Sequence, residues 1–274
     1  MKKGLGADKS PFDIRTFSYK PDKANKKGGQ RYEAKDIEDQ KKVGICTSIS
    51  LTQNARKATG IKYSADFQYL LQKKFVDGNW NEGSSLFSAL KVARNYGLLP
   101  EKYWKHTTLK DRDLSYSKYV KKLQSISDEE IGKLLKTASK YKIEAYANVP
   151  VTRDTLANAI DESESGVLAR FVIGKEWWTK PIEPLRTPKE VISGHGITVS
   201  NYDGGSFRIA NSWGDDWADK GTAYYLHDIY RPTEAWIVYY KASEPVKKDL
   251  EKRELTKGQI LDVIQKLLQL LRVI

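Results

Sequence analysis

A change of hydrophobic pattern near the middle of the chain constrains the fold more than any other feature. In the first half, apolar and small residues recur at helical spacing until a glycine ends the run: Ile45, Ile49, Thr52, Ala55, Ala58 and Gly60. This spacing, with glycine as a natural helix stop, predicts a helix that begins near residue 46. Further helices are predicted at about 65–76, 84–96 and 128–140, so the first half is expected to be mainly helical.

The second half consists instead of runs rich in β-branched and aromatic residues. Four runs, at 166–173, 196–202, 206–210 and 235–240, predict strands of an antiparallel sheet. Asp-Gly-Gly at 203–205 is a hairpin signal between the second and third runs. The predicted fold class is therefore α+β, with a helical half followed by a sheet half.

Composition divides the chain into four segments. Residues 1–39 are polar and rich in Lys, Gly and Asp, which predicts a basic arm lying on the surface. Residues 40–142 form the predicted helical subdomain and residues 143–242 the β-rich one. Residues 243–274 carry a heptad stripe that predicts an amphipathic helix. That helix would fold back on its own domain, self-associate or dock on a partner protein, and the sequence leaves these alternatives open.

Charge and hydropathy narrow the classes of function. The chain of 274 residues has a net charge of +12, but the basic residues are spread out and form no recognisable nucleic-acid motif. A solvated basic surface is therefore favoured over nucleic-acid binding. Because no apolar run approaches the roughly 20 residues of a membrane helix, no membrane span is predicted.

The N-terminus and the cysteine content bear on the compartment. The first residues are charged and are not followed by an apolar run, so no secretory signal peptide is predicted. The chain has one cysteine and can form no internal disulfide. A cytoplasmic or virion-associated location is therefore expected.

The single cysteine, Cys46, is placed at the predicted start of a helix. Unpaired N–H groups and the positive end of the helix dipole stabilise an anion there, which would lower the pKa of the thiol. A lone cysteine is also commonly an inert core residue, so its position alone does not decide between the two roles.

A nucleophilic thiol needs an imidazole, and the imidazole needs a group that fixes its ring. His195 starts the predicted strand at 196–202, and Asn211 ends the hairpin partner of that strand. A three-residue turn would place Asn211 opposite Ile197, on the same face as His195, whereas a two-residue turn would place them on opposite faces.

Taken in order, these residues resemble the papain-like cysteine peptidases. Gln40 precedes Cys46 by six positions, Gly-His-Gly surrounds His195, and Asn-Ser-Trp-Gly follows at 211–214. Residues 36–40, the Asn-Glu-Gly at 81–83 and the helix ending near 97 extend the similarity over about residues 11–240. The resemblance implies a two-subdomain fold, with a helical half packed on an antiparallel sheet or barrel and the active site in the cleft between them.

The resemblance also implies a role for each residue. Cys46 would attack a peptide carbonyl as a thiolate, and His195 would protonate the leaving amine. Asn211 would hold the imidazole, and Trp213 would shield that hydrogen bond from water. The side chain of Gln40, with the backbone N–H of Cys46, would stabilise the oxyanion.

Candidate substrate-binding residues are Gly83, which would leave room for a peptide backbone, together with Glu82 and Trp213. The expected partner is a peptide or protein substrate, with no cofactor. The three histidines, His106, His195 and His227, show no metal-ligand spacing with the cysteine, so no metal site is predicted.

Two departures from the family pattern bear on activity. The family usually has Gly-Ser-Cys-Trp at the nucleophile, whereas this chain has Gly-Ile-Cys-Thr at 44–47, which changes the packing expected on the leaving-group side. The sequence shows no long inhibitory propeptide, so activity would be restrained by location, by the 1–39 arm covering the cleft, or by assembly. An alternative function is a papain-like fold acting as a structural or binding component of a larger assembly such as a virus particle.

Overall fold

The computed structural model describes residues 3–11, 18–19, 28–163, 165–178, 181 and 183–240. The amphipathic helix predicted at 243–274 lies outside these residues. Among the described helices, none is long and apolar enough to cross a membrane.

The first half contains five of the described α-helices. They are α1 (Cys46–Thr59), α2 (Ala65–Gln72), α3 (Leu86–Asn95), α4 (Tyr116–Gln124) and α5 (Asp128–Ala138). α1 ends where its glycine predicts, because Gly60 adopts the left-handed conformation with φ 73°. α4 was not predicted, since Tyr119, Val120 and Leu123 are its only buried positions in a lysine-rich segment.

Two strands of two residues each, β1 (Ala7–Asp8) and β2 (Ser84–Ser85), pair in parallel. β1 belongs to the segment predicted to lie on the surface as an arm. Ala7 is instead only 2% exposed, so this part of the arm is built into the domain.

The second half is built on a six-stranded sheet in which every pairing is antiparallel. The strands are β3 (Ala145–Asn148), β4 (Val167–Ile173), β5 (Ser193–Asp203), β6 (Ser206–Ala210), β7 (Thr222–Leu226) and β8 (Glu234–Tyr239). Their spatial order is β3-β8-β4-β5-β6-β7. The helix α6 (Arg153–Glu162) packs on this sheet through Leu156, Ala159 and Ile160, which are fully buried. The four predicted strands thus correspond to β4, β5, β6 and β8.

The β5–β6 hairpin reaches the required register by a route that the sequence did not indicate. Its turn has two residues, because Asp203 pairs with Ser206. A bulge at Ser200 then shifts the register by one residue, so that Val199 pairs with Ile209. The expectation that a two-residue turn places His195 and Asn211 on opposite faces of the sheet is therefore wrong. The extra residue at the bulge gives the pairs beyond it, from Val199 and Ile209 onwards, the register that a three-residue turn would give.

The two halves join through a buried apolar layer. Leu51 of α1 and Leu86 of α3 belong to the same cluster as Leu168 of β4 and Trp236 of β8. α1 is buried along its length from Cys46 to Ala55, because it packs on α2 and α3 on one side and on β5 on another. The first residue of α1 is thereby held against the strand that carries His195.

Candidate active site

The sulfur of Cys46 lies at the junction of α1 and β5. Ile45 precedes the helix and has no hydrogen-bonding side chain, so the first N–H groups of α1 are free of a side-chain cap. The backbone N–H groups of Gly196 and Thr47 lie near the sulfur and favour its charged form. Because Gly196 follows His195 directly on β5, the structure brings the thiol beside the imidazole strand.

The imidazole of His195 is held by Asn211. Nε2 of His195 lies 2.7 Å from Oδ1 of Asn211, and both side chains are fully buried. Since a carbonyl oxygen only accepts, Nε2 carries the hydrogen and Nδ1 of the neutral ring has a free lone pair. Nδ1 has no hydrogen-bond partner among the described residues, which leaves it available to a thiol proton. The N–H of Ser212 also donates to Oδ1 of Asn211, at 2.8 Å, and fixes the amide.

Two tryptophan rings cover the imidazole. The ring centroid of Trp213 lies 4.7 Å from that of His195, and the ring of Trp177 meets the imidazole edge-on at 6.4 Å. Both indoles are 1% exposed. Trp213, which was predicted to shield the hydrogen bond between His195 and Asn211, thus packs on the imidazole, and Trp177, for which no contact was predicted, packs there as well.

Gln40 is oriented from behind by Ser212. The hydroxyl of Ser212 donates to Oε1 of Gln40 at 2.6 Å, and the backbone N–H of Gln40 donates to the Ser212 carbonyl at 2.8 Å. With Oε1 engaged, Nε2 of Gln40 points the other way and donates to the carbonyls of Gly4, at 2.6 Å, and Val43, at 3.0 Å. One side-chain N–H of Gln40 is therefore held towards a carbonyl oxygen of another segment.

Burial keeps both members of the Cys46 and His195 pair neutral. It raises the pKa of the Cys46 thiol to about 11, although the N–H groups of Gly196 and Thr47 act in the opposite direction. It lowers the pKa of His195 to about 4, partly offset by the hydrogen bond that His195 donates to Asn211. The lowered thiol pKa expected from the helix terminus is thus outweighed here by loss of solvent.

The N-terminal segment (residues 3–10) lies against this part of the protein. It crosses the site along Gln40, β2 and the start of β5. Its carbonyl groups accept hydrogen bonds from Nε2 of Gln40, from the N–H of Ser84 at 2.7 Å and from Nε of Arg170 at 2.8 Å. Residues 3–10 of the predicted 1–39 arm therefore lie over Gln40, β2 and β5, and a restraint of activity by this arm stays a prediction.

Glycines permit this close approach. Gly83 and Gly6 lie so close that a Cβ on Gly6 would fall 2.5 Å from the Cα of Gly83. A Cβ on Gly4 would fall 2.2 Å from the carbonyl oxygen of Val43. The space beside Gly83 is taken here by the chain's own backbone at Gly6.

The far end of the segment is anchored on Glu234. The backbone N–H of Ser10 donates to Oε2 of Glu234 at 3.1 Å, and the Ser10 hydroxyl donates to Oε1. The N–H of Phe87 in turn donates to the Ser10 hydroxyl at 3.1 Å. Both halves of the protein therefore hold the segment.

Glu82 and the other two histidines have partners of their own. Oε1 of Glu82 accepts the N–H of Gly44 at 2.9 Å and so supports the loop before the helix. His106 lies with its Nε2 3.6 Å from a carboxylate oxygen of Glu130, and His227 hydrogen-bonds to the carbonyl of Val151. Among the described residues, no three His, Cys, Asp or Glu side chains are grouped as metal ligands would be.

Ser212, Trp177 and Arg170 contribute to the site and were missed by the sequence reasoning. Ser212 falls within the quoted Asn-Ser-Trp-Gly motif, so its place next to Asn211 was a usable signal. Trp177 and Arg170 carried no such signal, because their contacts depend on how β4 and the following turn fold over β5.

Several solved structures share this architecture. The chain is similar to xylellain, a cysteine protease from Xylella fastidiosa, at 23% identity and a TM-score of 0.71, over 87% of this chain and 96% of that one. It is similar to digestive procathepsin L 3 of Tenebrio molitor at 16% identity and a TM-score of 0.60, over 86% and 76% of the two chains. For procathepsin B of Trypanosoma congolense the values are 12% and 0.58, over 86% of each chain.

No protein-family model and no curated protein matches the chain. At these identities the structural likeness establishes the fold. The chain has the fold of the papain-like cysteine proteases, and the predicted α+β architecture with a helical half and an antiparallel sheet half is confirmed.

Proposed function

We propose that the protein is a cysteine peptidase in which Cys46, His195 and Asn211 form the catalytic triad. Gln40 supplies one donor of the oxyanion hole and the backbone N–H of Cys46 supplies the other. Gly83 and Trp213 border the substrate. The descriptions of the similar structures name proteases or protease precursors, which supports this function over that of a structural component.

The reaction follows from the roles of these groups. Nδ1 of His195 takes the proton of Cys46, and the thiolate forms a bond to the carbonyl carbon of the substrate. The negative oxygen is stabilised by Gln40 until the carbon–nitrogen bond breaks, when His195 gives the proton to the departing amine. Water then attacks the thioester carbon and gives a proton to His195. The carbon–sulfur bond breaks, the carboxylic acid product departs, and Cys46 is again a thiolate.

The observation that carries the proposal is the hydrogen bond between His195 and Asn211. At 2.7 Å it fixes Nε2 as the protonated nitrogen and leaves Nδ1 without a partner among the described residues, on the strand whose next residue, Gly196, lies near the Cys46 sulfur. A base that takes the thiol proton needs such an unprotonated ring nitrogen.

The N-terminal segment would restrain this activity. In the closed position its Gly4 carbonyl accepts from Gln40, and the Cys46 thiol is fully buried. A substrate can enter only after the segment leaves, because both would use the same donor. A Gly6→Val substitution should loosen the segment, since its side chain would overlap Gly83.

The test is cleavage of a peptide library by the full chain and by the full chain with Gly6→Val, with cleavage sites read by mass spectrometry. We expect cleavage by the Gly6→Val chain and its loss when Cys46→Ala is added. Alkylation of Cys46 by iodoacetamide across pH provides a second measurement. No cleavage by either chain, together with the pH profile of an ordinary thiol in both, would refute the proposal.

A further inference from the structure

A lysine side chain of the N-terminal segment is bound beside the site by Asp39. Nζ of Lys3 lies 3.0 Å from Oδ1 and 2.9 Å from Oδ2 of Asp39. The two side chains are only 17% and 14% exposed, so the pair is largely shielded from solvent. Lys3 directly precedes Gly4, whose carbonyl accepts from Gln40, and the ammonium group is therefore one residue away from the proposed oxyanion position.

Asp39 is fixed in this place by the frame of the site. It directly precedes Gln40, and its backbone bridges that of Trp213. Oδ1 of Asp39 accepts the backbone N–H of Lys41 at 2.7 Å, which sets the direction of the carboxylate. The segment touches this frame through the Gly4 N–H, which donates to the Lys41 carbonyl at 2.9 Å, while the contacts that orient the carboxylate itself come from Lys41 and from the bridge to Trp213.

The charge around Asp39 also favours a cation. Its neighbour Lys41 forms an ion pair with Oδ2 of Asp39 at 2.9 Å. The ammonium group of Lys41 is also attracted by the carboxylates of Asp113 and Asp216. Asp215 and Asp216 are exposed and line, with Asp39, a cavity of about 580 Å³. Deeper in that cavity, Lys62 and Arg112 are paired with their own carboxylates, Glu101 and Asp66.

We propose that Asp39 is a specificity-determining residue that binds a lysine or arginine side chain of the substrate, on the side of Gln40 away from Gly83. This inference rests on the proposed peptidase function and names the class of peptide that the site would favour. Lys3 then occupies, in the closed chain, the place of that substrate side chain.

The path of the segment explains why a substrate side chain would reach Asp39. Gly6 and Ala7 follow Gly83 and β2, the Gly4 carbonyl meets Gln40, and Lys3 lies beyond it. A peptide that places its scissile carbonyl at Gln40 and its backbone along Gly83 must continue past Gln40 towards Asp39. The neighbouring residue on that side would therefore meet the carboxylate.

The first test compares cleavage preferences in full chains that carry Gly6→Val. A library varied at every position should be cut about tenfold more often with Lys or Arg than with Ala at one position on the Asp39 side. Adding Asp39→Asn should reduce this enrichment to about twofold or less, because Lys41 would then repel the cation. Asp216→Asn, which removes an exposed charge without touching Lys3, is the matched control and should keep most of the preference.

The second test does not depend on cleavage. Alkylation of Cys46 reports opening of the segment, so it can measure the contact between Lys3 and Asp39 in a double-mutant cycle on the otherwise natural chain. Lys3→Ala and Asp39→Asn should each raise the alkylation rate about tenfold, and the double variant should gain no more than either alone. Lys9→Ala, in an exposed position of the same segment, should leave the rate unchanged.

The outcomes separate this inference from the function on which it rests. If no peptide is cleaved but the cycle is non-additive, the peptidase proposal fails while binding of a lysine by Asp39 stands. If peptides are cleaved with no preference for Lys or Arg, or with a preference that survives Asp39→Asn, then the proposed role of Asp39 in substrate specificity is overturned. An additive cycle, with the double variant about 100-fold faster, overturns the contact itself.

Discussion

The substitution Gly6→Val tests whether the N-terminal segment controls access to Cys46. At this position φ is 147°, and a Cβ would lie 2.5 Å from Cα and 3.0 Å from N of Gly83. An unfavourable φ costs a side-chain-bearing residue about 1–2 kcal/mol, and forcing atoms into a packed site costs about 1–3 kcal/mol. We therefore expect the closed position to lose about 3 kcal/mol.

This free energy translates directly into a rate. When opening and closing are faster than the chemistry, the alkylation rate is the opening constant multiplied by the intrinsic rate of the exposed thiol. A loss of about 3 kcal/mol raises the opening constant about 100-fold, and alkylation of Cys46 should accelerate by the same factor until opening is complete. Because the chain has one cysteine, the mass added by iodoacetamide counts this reaction alone.

Gly132→Val provides the matched control. It makes the same chemical change in α5, where a Cβ at Gly132 meets nothing within 4 Å. If Gly6→Val is alkylated no faster than this control and the unsubstituted chain, then the segment does not govern access to Cys46 and the reasoning is refuted.

The other predictions concern the catalytic groups and their titration. Asn211→Ala should lower kcat/KM of the Gly6→Val chain about 100-fold, because the imidazole loses its anchor, and an unchanged value would count against the triad. Gln40→Ala should lower kcat about 100-fold with a small change in KM, as measured with one cleaved peptide. His195, whose pKa is lowered to about 4 from 6.5, contributes stability above pH 6.5 that is lost as the pH falls towards 4. Urea unfolding should show this loss of about 3 kcal/mol, and His195→Gln should remove it. Alkylation of Cys46 should rise up to about pH 11 in the closed chain, since burial raises the pKa of its thiol, and should level off at lower pH in the Gly6→Val chain.

The sequence predicts the helices and strands of this fold where the burial pattern is strong. α1 begins at Cys46 and stops at Gly60 as expected, because a long buried face leaves a clear period. α4 and α6 were missed, since few of their residues are buried and the surrounding charges hide the period. Short strands such as β3 and β7 provide too few residues for an alternation to stand out.

The candidate site was predictable where the residues lie in contiguous motifs. The part that the sequence left open is the position of the N-terminal arm, because a cover over the cleft was only one of three restraints that the sequence allowed. Residues 3–10 have no helical or strand period, and the need for glycine at Gly4 and Gly6 arises only from the backbones they face, at Val43 and Gly83. Such complementarity depends on three-dimensional proximity between distant segments, which local patterns do not encode.

Because of the bulge at Ser200, the placement of His195 and Asn211 on one face depends on the total number of residues between them, and not on the type of turn alone. A chain that lost Ser200 and gained one residue beside Gly204 would reach the same pairing at the base of the hairpin. Loss of Ser200 alone would rotate Asn211 to the opposite face of the sheet and take the amide away from the imidazole. Length changes in this hairpin are therefore tolerable only in compensating pairs.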